Sequence, residues 1–398
     1  MSSDLLSRRT IAFVNIAHAL DHFVLLIYPT AVIAIAAERQ LSYASLIGLA
    51  TGAFVAFGLF SLPMGWIADR VGRRNLLAIF FAGCGIACLG LSTANSPVMF
   101  GIWLFVLGVF SAIYHPIGST MLVSHTSQLG RDLGINGVWG NLGAAFASGV
   151  TALLAASLGW RAAFILPGLV CLLAGIAFVR LVPGDGDSHG KSGHIHAVIP
   201  VVRPMRLFLL FAAAIVAGGM TFNITTIALP KIIDERAGAS LPLVLIGSLA
   251  TLVFVFGALT QLLMGRLVDR YTLPRIFVGL SILQPLGLGL AAMTSGVAML
   301  GGLVLAMAAI YGQVVVNDAM VARYVPAQYR ARAFSVRYFL GFTTSGLAVP
   351  LIALLHGMSG FTLVLSAAAT FGTIIFLCSL GFLLAAQPSS KPTSLPVG

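Results

Sequence analysis

The chain has 398 residues, of which 59% are hydrophobic and only 8% charged; a water-soluble fold carries about 25% charged residues. Its 22 Lys and Arg against 11 Asp and Glu leave a formal charge of +11, with the basic residues in short clusters between long apolar runs. These figures exclude a soluble enzyme and a nucleic-acid-binding protein, and they point to an integral membrane protein whose solvent is the lipid bilayer.

Residues Met1 to Thr10 are polar and basic. The apolar run after them is too long for a signal-peptide core and lacks a small-residue cleavage site, so it reads as an uncleaved first span. About 20 apolar residues cross the hydrocarbon layer as a helix. On that length the chain yields twelve spans, at approximately 11–36, 45–68, 76–93, 98–122, 135–157, 162–182, 205–230, 242–266, 275–294, 297–322, 333–355 and 362–386. The runs are continuous rather than alternating, which predicts helices and not a β-barrel. With the N-terminus placed inside, 18 of the 22 basic residues fall in inner segments and 4 in outer ones (Arg39, Arg161, Lys231 and Arg236). The positive-inside bias therefore predicts both termini in the cytoplasm.

Cys84, Cys88, Cys171 and Cys378 all lie in apolar runs and read as small core residues. Residues 183–204 are polar, rich in Gly and Pro, and contain His189, His194 and His196; they form a cytoplasmic linker whose histidines read as solvated rather than metal-binding. The linker divides an N-terminal six-helix bundle, 1–182, from a C-terminal one, 205–398.

The two bundles repeat one another. Ile47-Gly48 and Phe57-Gly58 recur as Ile246-Gly247 and Phe256-Gly257, and Met64-Gly65 and Asp69-Arg70 recur as Met264-Gly265 and Asp269-Arg270. Parallel repeats of six spans are related by an axis along the membrane normal, which puts a substrate path between them near the midplane.

The loop after the second span reads Gly65-Trp-Ile-Ala-Asp69-Arg70-Val-Gly72-Arg73-Arg74. It resembles the signature loop of the major facilitator superfamily, and Gly265-Arg266-Leu-Val-Asp269-Arg270 stands where that family has its second copy. The resemblance covers essentially the whole chain. It implies an all-α integral membrane protein of twelve transmembrane helices that moves a small molecule by alternating access. It also implies that the two loops govern the conformational cycle, with Asp69 helping to latch the halves on the cytoplasmic side. Gly65 is expected to allow close helix approach.

His18-Ala-Leu-Asp21-His22, then Tyr28-Pro29, Leu41-Ser42 and Tyr114-His115-Pro116, look like the fosmidomycin-resistance-type exporters. That similarity implies proton-driven efflux of a small toxic or metabolic compound. Two features common in drug:proton antiporters are missing: Leu104 stands four residues before Gly108 where an Arg is usual, and span 5 has no Gly-Pro pair.

Ionisable residues inside a span are costly, about 2.5–3.5 kcal/mol for a central Asp, and are functional candidates. Asp21 is midway along span 1, with His18 and His22 a turn apart and Asn15 on the same stripe. Asp21 with His18 or His22 is expected to carry the proton. The alternative is a hydrogen-bond network that never titrates. The family resemblance puts spans 1, 4, 7 and 10 around the cavity, which adds Tyr114, His115, Asn223, Tyr311 and Asn317. Trp139 and Tyr338 occupy repeat-equivalent places, as cavity aromatics or as packing. Asp318 is expected to pair with Arg323 or another loop Arg, and Arg337 to sit near the cytoplasmic start of span 11. With no Lys or Arg deep in a span, the substrate is expected to be neutral, cationic or weakly anionic.

No nucleotide-binding loop is present, so ATP is not the energy source, and no cofactor or resident metal is expected. The sequence thus reads as a secondary active transporter whose partners are a small organic substrate, protons and lipid. It is expected to work as a monomer in a plasma membrane, specifically a bacterial inner membrane. Proton-coupled uptake is the first alternative; metal-ion transport and a membrane enzyme follow.

Overall fold

The computed structural model describes residues 3–126, 129–183, 204–238, 241–325 and 327–386. The linker histidines His189, His194 and His196 lie outside these residues, as do the side chains of Asp269 and Tyr338. Every regular element among the described residues is a helix.

Span 1 is α1 (Ser3–Arg39). Span 2 is broken into α2 (Tyr43–Gly48), α3 (Thr51–Ser61) and α4 (Met64–Val71), and span 3 is α5 (Arg73–Thr93). Span 4 comprises α6 (Pro97–Ser111) and α7 (Tyr114–His125); spans 5 and 6 are α8 (Leu129–Leu158) and α9 (Ala162–Leu181). Spans 7 to 10 are α10 (Pro204–Arg236), α11 (Leu243–Arg270), α12 (Leu273–Met293) and α13 (Gly296–Tyr324). Spans 11 and 12 are the two parts of α14 (Ala327–Ala385), divided at Ser359 and Gly360, where Gly360 takes φ 64°.

The twelve expected spans are thus present, but spans 2 and 4 are not the continuous helices the hydropathy predicts. Proline accounts for part of this. Its ring lacks an N–H and clashes with the carbonyl four residues earlier. Pro63 immediately precedes α4, and Pro116 lies four residues after Ala112, where α6 ends. Polar side chains set other helix starts: Ser42 accepts from the Ser45 N–H at 3.2 Å, and Ser96 from the Met99 N–H at 3.3 Å.

Glycine sets the closest helix approaches. A Cβ on Gly108 would lie 2.0 Å from the Ala53 carbonyl oxygen, and one on Gly143 2.0 Å from that of Ala19. Spans 2 and 4, and spans 1 and 5, therefore touch backbone to backbone. Large apolar side chains such as Leu158, Leu173, Leu262 and Met293 stay exposed around the bundle, as a hydrocarbon surrounding permits. Cys84, Cys88 and Cys171 are buried and Cys378 partly so, all as free thiols, in keeping with their reading as packing residues.

An even number of spans in each half puts the described segment ends at Ser3, Pro183, Pro204 and Ala386 on one face of the bundle. On the opposite face the halves are pressed together. Span 2 packs on spans 11 and 12 there, with the rings of Tyr43 and His356 5.0 Å apart and Tyr43 and Phe361 6.0 Å apart. Lys231 lies 5.7 Å over the Tyr43 ring. Span 5 packs on span 8: the Thr251 hydroxyl donates to the Ala145 carbonyl at 2.7 Å and accepts from the Gly149 N–H at 3.1 Å.

A candidate transport site between the two halves

The signature loop is built around Gly72, which takes φ 84° between α4 and α5, a conformation that favours glycine. Arg74 donates through Nε to the Val182 carbonyl at 3.0 Å and through Nη2 to the Val179 carbonyl at 2.6 Å. It thereby caps the orphan carbonyls at the end of span 6. Asp69, Arg70 and Arg73 are exposed. Gly65 has nothing within 4 Å of where its Cβ would be, so the close approach expected of it is not made in this conformation. Its repeat partner Gly265 is equally open, and Arg270 is exposed. The latch expected of Asp69 can be tested directly. Asp69→Asn is expected to slow cycling severalfold with normal insertion, measured as transport per unit of protein at the membrane; a normal rate would remove Asp69 from the cycle.

Deeper in the N-terminal half, span 1 and span 4 bring their polar residues together. Asp21 is fully buried. Its Oδ2 lies 3.4 Å from Nε2 of His115, and neither carboxylate oxygen makes a hydrogen bond of ordinary geometry. The imidazole beside Asp21 is therefore His115 of span 4, rather than His18 or His22 as the spacing along span 1 suggests. Asp21 and His22 are consecutive, and adjacent helix residues point about 100° apart. His115 joins them, its ring 5.5 Å from that of His22.

His18 is tied elsewhere. Its Nδ1 lies 2.8 Å from the Asn136 carbonyl oxygen, and a carbonyl only accepts, so Nδ1 carries the proton. Its ring stacks on Tyr114 at 4.8 Å. Asn136 donates to Asn15 Oδ1 at 2.9 Å and to the Tyr114 hydroxyl at 3.0 Å. Asn15 and Tyr114 thus brace His18 from behind and do not line the cavity. Asn136, in span 5, gives no signal in the sequence, because a single Asn among glycines forms no pattern. His18, His22 and His115 bring ring nitrogens within 4.8 Å of one another. Among the described residues no fourth ligand atom joins these three within that distance, and a closed structural zinc site has four.

A cavity of about 210 Å³ opens beside His22. One wall is apolar, with Leu25, Leu26, Phe54 and Phe57; the other carries Thr226, Asn223, Gln284, Gln313, Asn317, Arg337 and Ser345. The expected Asn223 and Asn317 are there. Tyr311 is not: it is buried against Phe222 and Phe254, with ring centroids 5.5 and 6.4 Å away. Trp139 is exposed and lies outside the lining.

Arg337 corrects a second expectation. It is 9% exposed, lines the cavity and is ion-paired with Asp318. Its depth follows from where span 11 begins. The helix starts at Ala327, and ten residues of helix are about 15 Å. Gln284, Gln313, Thr226 and Ser345 are further lining residues outside the predicted set. The Ser345 hydroxyl donates to Asn223 Oδ1 at 2.9 Å, and the Asn223 amide donates to the Gly219 carbonyl at 2.8 Å.

Comparison with known proteins agrees with this architecture. The family model of the Major Facilitator Superfamily matches residues 11–317 and again 212–396. The chain belongs to the major facilitator superfamily. It is a membrane transporter, not an enzyme. Among curated proteins it is 26% identical over 150 residues to the probable sulfoacetate transporter SauU of Cupriavidus necator, covering 37% of this chain and 35% of that one. It is 31% identical over 134 residues to the puromycin resistance protein pur8 of Streptomyces alboniger, covering 33% and 26%. The matches thus span about a third or less of those relatives' length. The fold is similar to a bacterial homologue of the human lysosomal transporter Spinster in its inward-facing, occupied conformation. That likeness has a TM-score of 0.73 at 15% identity over 94% of both chains. The unoccupied form of that homologue gives a TM-score of 0.66 at 14% identity, over 95% of this chain and 97% of that one.

Proposed function

We propose that this protein is a proton-coupled exporter of a small organic molecule, in the fosmidomycin-resistance-type branch of its superfamily. It would work as a monomer in a bacterial inner membrane with both termini in the cytoplasm. One observation carries the proposal: a fully buried carboxylate, Asp21, whose nearest base is His115 at 3.4 Å, with His22 linking that pair to the cavity wall. A carboxylate and an imidazole in a low-dielectric site share a proton as one unit. Substrate arriving beside His22 can then be coupled to proton release. The two six-span bundles rock about this site. The basic loops on the linker face support a cytoplasmic assignment for that face, and a relative named for puromycin resistance supports efflux.

Uptake is the second reading. It rests on Arg337 in the cavity wall and on a relative named as a sulfoacetate transporter. Purified protein in liposomes of known orientation, given a pH gradient and a substrate panel, separates the two. Export predicts accumulation on the side from which protons leave, with proton flux in the opposite direction. Accumulation together with protons would establish uptake, and movement indifferent to the gradient would refute coupling.

A further inference from the structure

The cavity's two walls differ in what they leave unsatisfied. Gln313 is 3% exposed, Thr226 5% and Asn317 9%, and all three line the cavity. Gln313 Nε2, Thr226 Oγ1 and Asn317 Oδ1 are buried without a hydrogen-bond partner. Buried polar atoms are normally paired, and one left unpaired costs about 1–3 kcal/mol. Three around one cavity mark a surface waiting for a ligand or ordered water.

The geometry of the three is specific. Gln313 and Asn317 are four residues apart on span 10, so they stand one turn apart on the same face. The Gln284 amide is bonded to Gln313 on one side and to the Thr221 hydroxyl on the other, at 3.2 Å for the latter. Whichever way the two amides are turned, one end of Gln313 is left over. As placed, that end is a donor, and Asn317 offers an acceptor a turn away. A donor beside an acceptor matches a group that presents a carbonyl next to an N–H.

Charge narrows the class. Arg337 faces the cavity but is ion-paired with Asp318, so the polar wall holds its charges in balance. A charged substrate would give up its water and find no unmatched counter-charge in that wall. The opposite wall, Leu25, Leu26, Phe54 and Phe57, suits an apolar or aromatic body. The volume, about 210 Å³, is below the roughly 300–1,000 Å³ of sites for drug-sized ligands.

We infer that the substrate is a small uncharged amphiphile whose amide-like edge is held by Gln313, Asn317 and Thr226 of the C-terminal half, while its apolar body lies on Phe54 and Phe57 of the N-terminal half. This rests on the reading of the cavity as the transport site. It divides the work between the halves: Asp21, His115 and His22 handle the proton, and spans 7 and 10 read the substrate.

Four probes that share one phenyl ring test it on the full chain in lipid nanodiscs: benzamide, N,N-dimethylbenzamide, benzoate and benzylamine. Equilibrium binding is measured by titration calorimetry and thermal shift. Benzamide is expected to bind at least about tenfold more tightly than each of the others. Gln313→Leu and Asn317→Leu should each remove most of that preference while leaving the monodisperse protein intact. Tighter binding of benzoate or benzylamine would overturn the uncharged class. Equal binding of the two amides, or binding by none of the four, would overturn the amide-edge assignment, and the wild-type series alone decides both points. Gradient-driven flux in liposomes separates this inference from the reading beneath it. Selective benzamide binding without benzamide flux sinks transport through this cavity. Proton-driven flux of charged compounds only, with no benzamide bound, sinks the substrate class and spares the transporter.

Discussion

Asp21→Asn is expected to reduce gradient-driven accumulation to the level of protein-free liposomes while substrate exchange across the membrane continues. The carboxamide keeps the shape of the side chain but cannot take up or release a proton. It also removes the negative charge facing His115, 3.4 Å away. The same substitution relieves the cost of a buried ionisable group, so protein yield and thermal stability should hold or rise. That combination, lost coupling with kept stability, separates a proton carrier from a structural hydrogen bond, whose loss would lower stability and exchange together. Proton dependence surviving in Asp21→Asn would sink the assignment. His115→Gln provides the companion experiment: it should mimic Asp21→Asn if the two act as a unit, and the double variant should be no worse than either.

Gly143→Ala should be, with Gly108→Ala, among the most damaging single methyls in the chain's N-terminal half. Its Cβ would lie 2.0 Å from the Ala19 carbonyl oxygen, and a backbone atom cannot swing aside as a side-chain tip can. Span 1 and span 5 must separate, at a cost at or above the upper end, about 3 kcal/mol, of ordinary overpacking. Ala19 lies between His18 and Asp21, so the displacement also reaches the polar cluster, and transport should fall with stability. The control is in the same helix. Gly137 has nothing within 4 Å of its Cβ position, and Gly137→Ala should leave the melting temperature in detergent unchanged or slightly higher. Equal melting temperatures for the two variants would show that spans 1 and 5 are not in backbone contact.

The spans, their repeat and the Asp-Arg loop are legible in the sequence because each leaves a strong one-dimensional signal: long apolar runs, matching dipeptides, and an acid where only bases are needed for topology. Asp21 stands out for the same reason, as a charge in hydrocarbon. Its partner does not. His115 reaches Asp21 across two helices, and a span already apolar all round carries no record of which face looks inward. That also explains Trp139 and Tyr311, whose place in a span is readable but whose rotation about the helix axis is not. Arg337 sits deeper than its position in the chain suggests because its depth depends on where span 11 starts. The cavity amides Gln284 and Gln313 escape selection since an uncharged amide can be satisfied by a neighbouring helix, as theirs are by one another, and so does not by itself mark a cavity.

The seal on the closed face has an uneven construction with a consequence for how the two halves part. Lys231 is ion-paired with Asp234 and, at 3.4 Å, with Glu235, which in turn contacts His356 at 3.0 Å. All four belong to the C-terminal half. The contacts this cluster makes with the N-terminal half are those of the Tyr43 ring with His356, Phe361 and the Lys231 ammonium. Parting the halves therefore strands no charge. It gives up three aromatic contacts of about 0.5–1.5 kcal/mol each, together with the Thr251 hydrogen bonds between spans 5 and 8. Neutral contacts of this kind can be broken and remade on each cycle without unpairing a buried charge, which suits a carrier that alternates between two conformers.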